Sequence, residues 1–100
     1  VTASTGAVVG ENLRRLRQER GWTQDRAAKR IAERGMPWGR SHIADLETGR
    51  RETIGVAELV VLAHTFGVRT AEFFAGDGDV RTTSTGATSS RALVRSLLSA

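Results

Sequence analysis

One hundred residues leave room for a single small core, which excludes a multidomain enzyme and a deep multi-substrate active site. With 39% hydrophobic and 26% charged residues the proportions are those of an ordinary globular chain, which excludes disorder throughout and a coiled-coil composition. The lack of any cysteine excludes disulfides, thiolate metal sites and cysteine nucleophiles, and leaves stability to packing.

The net charge of +4 is unevenly spread. Val9 to Arg51 carries eleven basic and six acidic residues, Glu52 to Val80 carries one and five, and Arg81, Arg91 and Arg95 supply the rest. Fourteen of the fifteen basic residues are arginine, whose planar fork grips phosphate and guanine edges as lysine cannot. The same count fits a solvated helical surface, so charge alone leaves nucleic-acid binding open. No apolar run approaches the roughly 20 residues of a membrane span, and the stretch from Val1 to Gly10 lacks the pattern of a secretion signal. A soluble, cytoplasmic chain with no membrane partner is expected.

Residues 1–7 are small and polar without a period and read as a flexible arm. A helix is expected from Val8 or Val9, where Val9, Leu13, Leu16 and Arg20 recur at helical spacing, and it ends at Gly21. Thr23 is an N-cap for a second helix whose stripe is Ala27, Ala28 and Ile31. Pro37 between Gly35 and Gly39 forces a connection. A short third helix follows, with Ile43, Leu46 and Glu47 inward, Arg40, Ser41, Ala44 and Asp45 outward, and Gly49 at its end. Val56, Leu59, Val60, Ala63 and Phe66 mark a fourth helix, the most apolar and hence expected at the centre. Thr70 caps a last short helix carrying Phe73 and Phe74. Residues 76–89 are rich in Gly, Ser, Thr and Asp and read as a flexible linker, with no strand anywhere in the chain. In residues 90–100, Leu93, Val94, Leu97 and Leu98 share one helical face that is not stable alone at this length.

Three runs sharpen this outline. Gly21-Trp22-Thr23-Gln24-Asp25-Arg26-Ala27-Ala28, then Arg40-Ser41-His42-Ile43-Ala44-Asp45-Leu46-Glu47-Thr48-Gly49-Arg50-Arg51, then Leu59-Val60-Val61-Leu62-Ala63-His64-Thr65-Phe66-Gly67-Val68 resemble, in order, the phage-repressor and Cro-like (XRE-type) helix-turn-helix family. The resemblance runs from about Glu11 to Phe74. It implies an all-α, five-helix lambda-repressor-like DNA-binding domain over residues 8–75, whose third helix enters the major groove while the second crosses near the backbone.

Carried over residue by residue, the resemblance places Arg40, Ser41, Ala44 and Asp45 at base edges, with Arg40 suited to guanine O6 and N7. Asp45 either accepts from cytosine N4, orients Arg40 or His42, or is a solvated charge. Thr23 and Gln24, His42, and Thr48, Gly49, Arg50 and Arg51 are the implied phosphate contacts. Arg17 and Glu47 match a buried ion pair between the first and third helices. The twelve residues from Ile31 to Ile43 exceed the family's spacing of about seven, so Gly35 to Trp38 looks like an insertion, either a longer second helix or a bulging turn. Trp38 either packs that turn or lies near the DNA backbone.

Neither His42 nor His64 has a metal or catalytic spacing, and Gly76-Asp77-Gly78 lacks the strand and helix of a phosphate loop. No enzyme, cofactor or metal is expected. The sequence thus reads as a sequence-specific regulator of transcription that binds double-stranded DNA, as a homodimer on an inverted repeat, through Leu93, Val94, Leu97 and Leu98. The alternative is an antitoxin-like or adaptor module whose segment from Ser90 binds a protein partner as well. For that apolar stripe, folding back onto the domain or remaining disordered are the other options.

Overall fold

The computed structural model describes residues 2–83 and 85–99. Val1 of the expected arm, Ser84 of the expected linker and Ala100 of the expected terminal helix lie outside them.

The first helix starts at its cap rather than at its first valine. Ser4 Oγ accepts the Ala7 N–H at 3.1 Å, so α1 runs Thr5–Glu19 and absorbs part of the segment read as an arm. Gly6 and Gly10 stand one helical turn apart on α1, and both are buried. A Cβ at Gly10 would come within 1.8 Å of the Leu46 carbonyl oxygen, and one at Gly6 within 2.0 Å of the Arg51 carbonyl oxygen. This close approach lets α3 (Arg40–Glu47) and the loop after it lie directly on α1.

Thr23 caps α2 (Gln24–Glu33) as expected, its Oγ1 accepting the Arg26 N–H at 3.1 Å, and Ala27, Ala28 and Ile31 are buried. The stripe of α3 is also as expected, with Ile43 and Leu46 wholly buried. Gly49, at φ +77°, turns the chain out of α3 into a loop that reaches α4 (Val56–Phe66) at Gly55. The core joins these helices through Leu13, Ile31, Ile43, Leu46, Leu62 and Phe73, all fully buried. Each such side chain contributes about 1.5–3 kcal/mol of burial free energy.

Four expectations need correction. The fourth helix does not lie at the centre: α1 does, touching α3, the Thr70–Phe74 segment and two strands, while Val56 and Val60 are 81% and 53% exposed. Eight of the eleven α4 residues are apolar, so its period marks no single face, and packing selects Leu59, Leu62, Ala63 and Phe66. Thr70 is not a cap; it is the first residue of a 3₁₀ helix, Thr70–Phe74, preceded by Arg69 at the N-cap with no side-chain bond.

The molecule is also not strictly all-α. Ala3–Ser4 (β1) pairs in parallel with Asp79–Arg81 (β2), which pairs antiparallel with Thr88–Ser90 (β3). The segment read as a linker therefore holds a strand and most of a hairpin, anchored by wholly buried Val80 opposite Ala3 and Ser89. Strands of two or three residues are too short to show an alternating period, which is why composition suggested a loop. The radius of gyration, 12.8 Å, is that of a fully folded chain of this length, about 13 Å.

The last correction concerns α5 (Arg91–Ser99). Its inward side carries arginines rather than leucines. Arg91 is 8% exposed and donates to Glu11 Oε2 at 2.7 Å and the Ala75 carbonyl at 3.1 Å. Arg95 donates to the carbonyls of Phe74 at 2.7 Å and Gly76 at 2.9 Å. Val94, between them, packs on the core and leaves the expected exposed stripe, whereas Leu93, Leu97 and Leu98 remain 51%, 70% and 40% exposed. The carbonyls after the 3₁₀ helix need donors, and arginine supplies them. No described helix is long and apolar enough to cross a membrane.

Candidate nucleic-acid interface

The site is built where the N-termini of α2 and α3 meet. Thr23 is exposed at the cap, and Gln24, the first residue of α2, is half-buried. Gln24 Nε2 donates to Glu47 Oε1 at 3.2 Å, and Gln24 Oε1 accepts from Arg40 Nε at 3.4 Å. Glu47 is in turn held by Arg17 through two parallel bonds, Nε to Oε2 and Nη2 to Oε1, each 2.7 Å. Arg17 also donates to the Trp22 carbonyl at 2.9 Å. The chain Arg17–Glu47–Gln24–Arg40 thus ties α1 to the first residue of the exposed helix. Arg17 and Glu47 were paired in the sequence reading; the link through Gln24 to Arg40 was not, because nothing in the spacing reveals a bond across two helices.

The Arg17 and Glu47 side chains are 12% and 4% exposed, so each charge depends on the other, and removing one partner of such a pair costs about 3–5 kcal/mol. The hydrogen bonds to Glu47 raise the Arg17 pKa against the opposing effect of burial, so its charge persists at any physiological pH. A shallow cleft lined by Arg17, Thr23, Gln24, Asp25 and Arg40 opens between the two helix starts. Backbone N–H groups of the first turn of α2 end there, which suits an anionic oxygen.

Along α3, Arg40, Ser41 and His42 are exposed, and Ala44 and Asp45 are half-buried. The Asp45 carboxylate has no hydrogen-bond or ion-pair partner among the described residues, and the guanidinium of Arg40 lies with Gln24 rather than with Asp45. His42 caps its own helix: its Nδ1 accepts the Gly39 N–H at 3.0 Å, which places the ring proton of the neutral form on Nε2, the remaining donor. Thr48 Oγ1 is turned back to the Ala44 carbonyl at 2.7 Å, while Arg50 is exposed with no side-chain partner among the described residues. Arg51 is occupied by Glu58.

The connection between α2 and α3 is Arg34 to Gly39. The turn bulges while α2 stops at Glu33, which decides between the two options left by the spacing. Trp38 packs it, at 8% exposed. Among the described residues no three His, Asp or Glu side chains gather as a metal site.

Residues 8–73, two thirds of the chain, match the family model described as a helix-turn-helix domain. The chain belongs to that family, an XRE-like class of DNA-binding domains. The boundaries of the match enclose α2, the bulged turn and α3 of this helix-turn-helix domain. Neither the curated proteins nor the solved structures searched include a significant match.

Proposed function

We propose that this helix-turn-helix domain is a sequence-specific, non-enzymatic regulator of transcription that acts in the cytoplasm, binding double-stranded DNA as a homodimer on an inverted repeat. The observation that carries the reading is the exposed N-terminal half of α3, Arg40 to His42, beside the open start of α2. In this reading Arg40 and Ser41 meet base edges, with Ala44 and Asp45 farther along the same helix facing the groove floor. Thr23, Gln24 and the first N–H groups of α2 hold one phosphate; His42 Nε2, Thr48, the Gly49 backbone and Arg50 hold others. Gln24 both touches phosphate and steadies Arg40.

One short helix makes few base contacts, and a second half-site one helical turn away roughly doubles the specific free energy. The surface for the second copy is the outer side of α5. Leu93, Leu97 and Leu98 lie there with Ala92 and Ser96 and no charged residue, since Arg91 and Arg95 are turned to the domain. A chain of net charge +4 meets its own copy with least repulsion on such a face.

The test is selection of binding sites from random DNA at fixed salt. The expected result is a two-fold symmetric consensus, with Arg40→Ala costing about 1–3 kcal/mol on it and relaxing specificity at one position per half-site. Enrichment of no sequence, or equal loss on all sequences for Arg40→Ala, refutes base reading by α3.

A further inference from the structure

The loop after α3 contains two adjacent arginines that sequence alone treats alike, yet their surroundings differ. Arg50 is exposed and unpaired among the described residues, whereas Arg51 is half-buried and engaged through both its backbone and its side chain. Its N–H donates to the Asp45 carbonyl at 3.1 Å, and its own carbonyl abuts Gly6 of α1. Its guanidinium lies 5.5 Å from the centre of the Trp38 ring and pairs through Nη2 with Glu58 Oε1. That same carboxylate oxygen accepts the Gly55 N–H at 2.8 Å, capping α4. Trp38 also stacks on His42, with centroids 5.7 Å apart and planes 8° from parallel.

A continuous set of contacts therefore runs from the first turn of α3, through the bulged turn, to the first turn of α4. We infer that Trp38, Arg51 and Glu58 form a strut that sets the pitch of α3 on DNA, so that Arg51 is a positioning residue for base reading rather than a phosphate contact. The added turn residues supply the aromatic plate that makes the strut possible. Planar groups suit this role, because the nearly parallel imidazole and indole, with a guanidinium drawn to the indole ring, resist tilting of the helix that carries one of them. A guanidinium already neutralised by a half-buried carboxylate gives up little to a phosphate without leaving that carboxylate unpaired.

This inference rests on the DNA-reading proposal above, and its test separates the two. Affinities of the full chain are measured over a series of salt concentrations on the enriched duplex and on a scrambled duplex of equal length. Arg51→Ala is expected to lower the ratio of the two affinities about tenfold with the salt slope unchanged, whereas Arg50→Ala lowers both affinities together and reduces the slope by about 0.9. Trp38→Leu keeps an apolar side chain but no π face and is expected to lose the ratio while still folding, checked by its thermal unfolding, and Trp38→Phe, which leaves a smaller void and keeps a ring, is expected to keep the ratio. Equal loss on both duplexes with a reduced slope for Arg51→Ala overturns the inference, as does a wild-type ratio in Trp38→Leu. A wild-type chain that enriches no sequence overturns the DNA-reading proposal together with it.

Discussion

Glu58 illustrates how one carboxyl ties folding to pH. Burial raises its pKa, but the hydrogen bonds from Arg51 and from the Gly55 N–H, with the charges of Arg51 and His42, outweigh that and lower it. A carboxyl whose folded pKa lies below its unfolded value adds stability above the unfolded value, 4.5, and loses it as pH falls through the folded one. Glu58→Gln is therefore expected to be less stable than the wild type above pH 4.5 and to approach it in more acid solution, read as the difference in urea midpoints across that range. A constant difference would mean that the carboxylate charge is not what matters at Glu58. Residue identity also explains the opposite fates of neighbouring positions on α5, where Arg91 and Arg95 face inward because bare carbonyls lie beneath them.

Among the elements, the contact of α1 with α3 decides how firmly α3 is seated. Substituting alanine for glycine within a helix ordinarily gains about 1 kcal/mol of propensity. At Gly10 the new methyl would stand 1.8 Å from a backbone oxygen of Leu46, which cannot rotate away, so overpacking dominates and about 3 kcal/mol of stability is lost. Chemical denaturation of Gly10→Ala measures this; a stabilised variant would show that α1 and α3 separate readily. The spacing of Gly6 and Gly10 by one turn is a small-residue signal for close helix approach that was not drawn from the sequence. Its meaning depended on α1 starting before Gly6, which the loose composition of the first residues concealed.

For the molecule as a whole, polar anchoring of α5 and its apolar outer face serve different ends. Removing residues 90–100 would strip donors from the carbonyls of Phe74, Ala75 and Gly76 as well as removing the leucines, so substitutions on the outer face are the cleaner probe. The double variant Leu93→Glu with Leu97→Glu is expected to keep the fold, since both side chains are half or more exposed, while shifting the solution mass from dimer to monomer and weakening binding to the enriched site. A wild-type chain that is already monomeric on and off DNA would remove α5 as the self-association surface and leave the leucines to another protein.

The features legible along the chain were local: the cap at Thr23, breaks at glycine and proline, the stripes of α2 and α3, the residue types exposed on α3 and the Arg17–Glu47 pair. Each depends on neighbours within a turn or two, or on a motif carried in order along the chain. The tertiary structure alone decided which side of the uniformly apolar α4 is buried, how the three short strands find one another across more than seventy residues, and which arginines are free. Arg50 and Arg51 are identical side chains in adjacent positions. Only the placement of Trp38 and Glu58, brought in from a turn and a helix on either side, makes one available to solvent and the other part of the scaffold.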